Sequence, residues 1–300
     1  MGNLSFCGKH YCGRAFGEAD LQLIRQVIAQ PEVYPTRAAI ARAVCIELAW
    51  LRPDGRLKDM SAKVALLRMH QDGIITLPPP RHTGGNSQGQ RRPKLTAASD
   101  PGPVVMGTRA DLGLLSLSRV ANRQESRLWN EFIERYHYLG YSPLPGAQIR
   151  YFVKGNDQLV GALGVGASAW TVGSRDRFIG WTSAERKAHL HLVVNNARFL
   201  LFPWIRVKNL ASSALSLLVR QVRADWKTLY GFEPVLMESF IDSGRFTGTC
   251  YQASNWLWVG QTQGCGKMGK NRRQTSFRIK DVYLYPLVTN FRQLLTGRGI

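Results

Sequence analysis

Ala197-Arg198-Phe199-Leu200-Leu201-Phe202-Pro203-Trp204-Ile205, continuing into Arg206-Val207-Lys208-Asn209-Leu210-Ala211, decides how this chain is read. The first nine residues are nearly all apolar and too few for a free helix, so they read as a buried strand. Asn209 then opens a long helix to Tyr230, along which Ala214, Leu218, Val222 and Trp226 recur at i+4, and Gly231 stops it. Pro234 to Ile241 reads as a second buried strand. A strand, a long helix and a strand together indicate an α/β sheet.

The same pattern extends on both sides. Asn122 to His137 is an amphipathic helix with Leu128, Phe132 and Tyr136 in one stripe and Trp129 and Ile133 beside it. Ile149–Lys154 and Leu159–Val165 bracket Gly155-Asn156-Asp157, a hairpin signal. Thr182-Ser183-Ala184-Glu185 is a capping box before a basic helix ending near Val194. A short helix from Thr247 to Asn255 and strands Leu257–Val259 and Lys280–Tyr285 complete the order. This predicts an α/β (α+β) mixed sheet with helices on both faces, and the order resembles that of the GCN5-related acetyltransferase fold. In that fold the loop before the long helix binds a pyrophosphate through Arg/Gln-x-x-Gly-x-Gly/Ala. Arg206 and Ala211 fit that pattern, and Asn209 replaces its first glycine. A helix N-terminus offers free N–H groups to phosphate, whereas a side chain at 209 crowds a close backbone approach. Arg206, Asn209 and Ala211 are therefore candidate acyl-CoA contacts; otherwise Asn209 simply caps the helix.

Residues 1–77 read as a separate helical domain. Leu21, Ile24, Val27 and Ile28 share a face between Glu18 and Ala29. Thr36 caps a helix from Arg37 to Trp50 with Ile40, Val44 and Leu48 at i+4. Leu57, Met60, Val64 and Leu67 align in a third helix ended by Gly73, and Ile74–Leu77 reads as a short strand. Three helices and a strand predict a winged-helix-like domain whose third helix enters a DNA groove, with Lys58, Lys63 and Arg68 off its apolar stripe. A plain three-helix bundle is the alternative. Residues 78–108, rich in Pro and Gly, read as a linker to the domain at 109–300.

Forty Lys and Arg against twenty Asp and Glu leave +20 at pH 7, with pI about 10.3, which favours a polyanionic partner. The segment 109–300 holds most of that surplus, with 26 basic and 12 acidic residues. Hydrophobic residues at 44% and aromatics at 10% exclude a disordered chain. No apolar run approaches a membrane span. Lys9, His10, Arg14, Glu18 and Asp20 leave no apolar core for a signal peptide, so the expectation is a cytoplasmic protein without a membrane partner. Five cysteines fit reduced thiols, and Cys7, His10 and Cys12 lack the second ligand pair a structural zinc needs.

Several local motifs recur together in one family. They are Tyr11-Cys12-Gly13-Arg14, Gly55-Arg56-Leu57-Lys58-Asp59-Met60, Arg175-Asp176-Arg177-Phe178-Ile179-Gly180-Trp181, Asn195-Asn196-Ala197-Arg198-Phe199-Leu200, Pro203-Trp204, Asn209-Leu210-Ala211-Ser212, Asp225-Trp226 with Tyr230-Gly231, and Gly248-Thr249-Cys250-Tyr251 with Asn255-Trp256. On these the chain, from about residue 11 to 287, resembles the DruA family of the Druantia anti-phage defence systems, whose relatives also look like fusions to transposases. The resemblance implies a bacterial, DNA-associated protein with helicase or transposase partners, and no particular reaction. Cys265 departs from the basic residue the family tends to carry there, with Lys267 nearby.

Candidate site residues follow from chemistry. Asp176 lies between Arg175 and Arg177, which keep it ionised; it anchors a turn, accepts a proton or binds a metal. Glu238 lies in an apolar strand and needs a partner. With Asp176 and Asp242 it forms a Mg²⁺ cluster for a nuclease, or it pairs with an internal arginine such as Arg198. Cys250 and Tyr251 offer a nucleophile and a general acid, or pack as core. Residues 264–280 carry Lys267, Lys270, Arg272, Arg273, Arg278 and Lys280 with no acid, a phosphate-binding pattern to which Arg91 and Arg92 of the linker add. Three functions remain open: a DNA-binding component, an acyl-CoA-dependent transferase acting on nucleic acid or protein, and a Mg²⁺-dependent nuclease. A cleft between strands 197–205 and 234–241 lined by Asp176, Glu238 and Arg206 would favour chemistry.

Overall fold

The computed structural model describes residues 9–52, 55–80, 92–156, 158–263 and 278–298. Two compact units emerge, Met1–Gly89 and Gln90–Ile300.

The first unit opens with a hairpin, β1 (Lys9–Tyr11) and β2 (Arg14–Phe16), that the sequence pattern did not predict. Three helices follow: α1 (Glu18–Ile28), α2 (Arg37–Glu47) and α3 (Asp59–Gln71). Thr36 caps α2 as expected, its hydroxyl accepting from the Ala39 amide. The strand expected at 74–77 does not form; Ile75 and Leu77 are buried without a sheet partner among the described residues. The buried face of α3 is also different. Ala62, Ala65, Leu66 and Met69 face inward, whereas Met60, Val64 and Leu67 are exposed. The small alanines let α3 approach α2, whose own buried face includes Ala41 and Ala43, so close packing outweighs the larger apolar stripe.

The second unit is built on a sheet with seven strands among the described residues. Its elements are β3 (Val105–Gly107), β4 (Leu115–Arg119), α4 (Arg123–Tyr136), β5 (Gln148–Gly155), β6 (Gln158–Ala167), α5 (Gly173–Ile179) and α6 (Ser183–His189). Then come β7 (Val193–Leu201), β8 (Ile205–Val207), α7 (Leu210–Tyr230), β9 (Leu236–Asp242), α8 (Thr249–Gln252), β10 (Leu257–Gln261), β11 (Lys280–Pro286) and α9 (Phe291–Thr296). The strand order is β10-β11-β9-β7-β6-β5-β4, antiparallel throughout except for the parallel pair β7 and β9. A long helix between two parallel neighbours is the connection such a pair requires.

Helices cover both faces. On β5 neighbouring side chains point opposite ways. The Tyr151 hydroxyl donates to Asp225 of α7, while Phe152 packs edge-on against Phe132 of α4. Trp129 of α4 reaches the sheet itself, its indole N–H donating to the carbonyls of Tyr151 and Leu163. Gly164 makes room for it, since a Cβ there would meet the Trp129 ring at 3.0 Å. A second cluster, with Ile179, Leu236, Val282, Leu284 and Phe291, seats α5 and α9 on the sheet.

The buried strand begins earlier than expected. The helix after Thr182 stops at His189, β7 starts at Val193, and it ends before Pro203, which has no amide to donate. The stretch expected as linker is structured where described. Thr96 donates from its amide and hydroxyl to Glu131, and β3 pairs in parallel with β8.

Candidate functional site

β7 and β9 pair only over Val193–Asn195 and Leu236–Glu238, then part. A β-bulge makes the parting sharper: Arg198 pairs with Gly164 and Asn196 with Val165, leaving Ala197 as the extra residue. Two parallel strands that separate at their carboxyl ends leave a crevice. Here it is a cavity of about 550 Å³, lined from β7 and β9, from the chain after α4, and from the turn leading to α8. Ala211 in the first turn of α7 also borders it.

Arg198 is the unusual group in this cavity. It is 9% exposed and forms no ion pair among the described residues. Its guanidinium donates to the Ala197 carbonyl at 2.7 Å and to Ser142 Oγ at 2.6 Å, and its Nε has no partner. Two of five N–H donors are thus engaged. Burial lowers its pKa from the ordinary arginine value, yet an arginine stays charged. Beside it, His137 accepts the Leu139 amide on Nδ1, which puts the proton of the neutral ring on Nε2. Burial first, then the charges of Arg198 and Lys280, hold the His137 pKa down to about 4. The ring stacks on Tyr138, which meets Phe246 edge-on and carries Arg245 over its face at 5.3 Å.

Asp242 also lines the cavity, but its charge is covered. Arg278 donates to it at 2.9 Å, Arg245 lies at 3.7 Å, and the Gly244 amide donates at 3.2 Å. These contacts, Arg278 foremost, hold its carboxyl below the usual range. Tyr251 is fully enclosed; its hydroxyl oxygen accepts from Asn196 Nδ2 and lies 3.0 Å from Ser239 Oγ. Burial pushes both the Tyr251 phenol and the Cys250 thiol up. At neutral pH both keep their protons, so Tyr251 suits a proton donor and Cys250 is a poor nucleophile.

The remaining candidates fall elsewhere. Asp176 and Glu238 do not line the cavity, and neither does Arg206. Glu238, wholly buried, accepts from Arg175 at 2.7 Å and from the Ala169 amide. Burial pushes its carboxyl up, and Arg175 opposes that shift. Asp176 is held by Arg175, Arg186 and the Trp181 indole. Arg175 therefore takes the place expected of Arg198 as the partner of Glu238. Arg198 lies three residues past the last pairing with β9 and bonds Ala197 and Ser142 instead. No group of His, Cys, Asp and Glu among the described residues is placed to hold a metal ion. The carboxylates expected for Mg²⁺ are committed to arginines, and losing one partner of such a buried pair costs about 3–5 kcal/mol.

Asn209 adopts a left-handed φ of 62° and makes no side-chain cap, contrary to the capping expectation. The asparagine is tolerated there. Arg206 and Asn209 are exposed, and only Ala211 of that trio borders the cavity. Among the proposed DNA contacts, Lys63 pairs with Asp59, Arg92 with Glu134, and Arg278 with Asp242. Arg68 is exposed and Lys58 half-buried, and neither forms an ion pair among the described residues. Arg91, Lys267, Lys270, Arg272 and Arg273 lie outside the described residues.

Residues 68–275 match the family described as Druantia protein DruA. The chain belongs to the DruA family. No curated protein matches it. Among solved structures it is similar to a probable acetyltransferase from Staphylococcus epidermidis, at 8% identity over 58% of this chain and 99% of that one, with a TM-score of 0.38. It is likewise similar to a GNAT-family acetyltransferase from Chromobacterium violaceum, at 16% identity over 70% and 97%, with a TM-score of 0.36. A variant of spermidine N-acetyltransferase SpeG from Vibrio cholerae follows, at 11% identity over 59% and 95%, with a TM-score of 0.37. These are likenesses of fold alone. No helix among the described residues of this DruA-family chain is long and apolar enough to cross a membrane.

Proposed function

We propose that this DruA-family protein is a nucleic-acid-binding component of a bacterial anti-phage defence system or mobile element, holding DNA by its phosphates for partner helicase or transposase proteins. Family membership supports the setting. Charge carries the binding: twenty more cations than carboxylates over the chain, with Arg198, Arg245, Arg278 and Lys280 in the second unit lining two adjoining hollows that share Asp242. In the first unit the exposed side of α3 adds Arg68, with Lys58 just before it. Such contacts position a duplex and carry little sequence information. The full chain is expected to bind duplex DNA with an affinity that falls by about 0.9 log unit per log unit of salt for each phosphate neutralised. Fluorescence anisotropy across a salt series measures this, and a flat series rejects the reading.

Group transfer is a second reading, favoured by one arrangement: the Tyr251 proton donor and the N-terminal turn of α7 border the same cavity. An acyl-CoA is the cofactor that reading needs. Ala211, in the first turn of α7, borders the cavity where a helix N-terminus favours phosphate, whereas Arg206 stands outside it. Calorimetry with acetyl-CoA tests it, and absence of heat rejects it.

A further inference from the structure

We propose that the cavity between β7 and β9 receives one nucleoside monophosphate unit, either a free nucleotide or an unpaired nucleotide of a strand. Three features of the cavity converge on this chemistry. The first is uncompensated positive charge. Asp242 is matched by Arg278 and Arg245, while Arg198 and Lys280 line the same space with no carboxylate partner among the described residues. A buried guanidinium with three idle N–H donors is costly unless an anion completes it. The second feature is an aromatic wall. Tyr138 lies between the His137 ring and Phe246, and Phe246 is 49% exposed although it borders the cavity. An inorganic anion leaves that wall unused, whereas a base stacks on its exposed member, Phe246. The third is an idle acceptor. Asn196 lines the cavity beside Tyr251, and its Oδ1 is buried without a donor. It complements the exocyclic amino group of a base or a sugar hydroxyl. The volume also fits, since small-molecule pockets span about 300–1,000 Å³.

Mononucleotide binding and duplex binding are read in separate titrations, so the two fail separately. The full chain is titrated by calorimetry with AMP, GMP, CMP and UMP, with inorganic phosphate, with a short single-stranded deoxyoligonucleotide and with acetyl-CoA. At least one monophosphate is expected to bind saturably, and inorganic phosphate to bind about tenfold more weakly or worse for want of stacking. Oligonucleotide binding that competes with the mononucleotide assigns the cavity to a strand; mononucleotide binding alone assigns it to free nucleotide. Lys280→Gln and the exposed Phe246→Ala are each expected to weaken binding about tenfold. Arg198→Gln is expected to abolish it, and Phe246→Ala, which removes no charge, should leave the salt dependence of duplex binding in place. Thermal melts confirm that each variant is folded, and the two surface variants keep the test standing if Arg198→Gln is not. No response to any monophosphate or to the oligonucleotide overturns the proposal. So does binding that folded variants leave unchanged, or a response to acetyl-CoA alone.

Discussion

At the scale of single residues, His137 links the cavity to pH. Its neighbours are Arg198, Lys280 and the Tyr138 ring, and no carboxylate favours its charged form. The folded ring titrates near 4, against 6.5 when free. Above pH 6.5 both states hold it neutral and its contribution is fully present. As pH falls from 6.5 towards 4 the unfolded chain takes the proton first, so stability is lost across that window. The loss amounts to about 3 kcal/mol by pH 4. His137→Gln should flatten that stretch of the stability–pH curve, measured by denaturant unfolding of wild type and variant. A parallel NMR titration should place the wild-type ring well below 6.5.

At the scale of elements, the position of α4 rests on one missing side chain. A Cβ at Gly164 would meet Trp129 at 3.0 Å, Arg198 Cβ at 3.2 Å and Leu144 at 3.3 Å. Gly164→Ala should cost about 1–3 kcal/mol as α4 is pushed outward, read from the thermal midpoint. Elements of this kind were legible to different degrees. α4, the β5–β6 hairpin and α7 stood out because an apolar period and a turn or cap signal coincide in each. β1, β2, β4 and α5 did not, being three to seven residues long with tertiary pairing supplying what local pattern lacks. The face of α3 was misread because two i+4 stripes compete and the alanine one packs closer. Cys250 and Tyr251, singled out for their chemistry as a nucleophile and a general acid, both line the cavity. Arg198 was visible as a cation in an apolar strand, but its role depends on a bulge at Ala197 that no single-sequence period reveals. Arg175 went unassigned as a buried residue, since its burial follows from how α5 docks rather than from its own neighbours.

At the scale of the molecule, each unit has its own core. One cluster joins Phe16, Leu21, Ile40, Leu66 and Met69, and the clusters around Trp129 and Leu284 lie wholly within the second unit. Residues 90–300 expressed alone should therefore melt cooperatively, followed by near-UV circular dichroism; a gradual, featureless melt would contradict that. The Arg175 bridge has a mechanical consequence for this second unit. It rivets α5 to β9 through Glu238, and β7 is stitched to β6 along most of its length. Both strand walls are thereby fixed to neighbouring elements. The stretch from Leu139 to Ser142 is held by the Arg198–Ser142 bond and the turn carrying Phe246 by the Arg245–Tyr138 stack, so a ligand that draws on Arg198 competes with a contact that holds the rim in place.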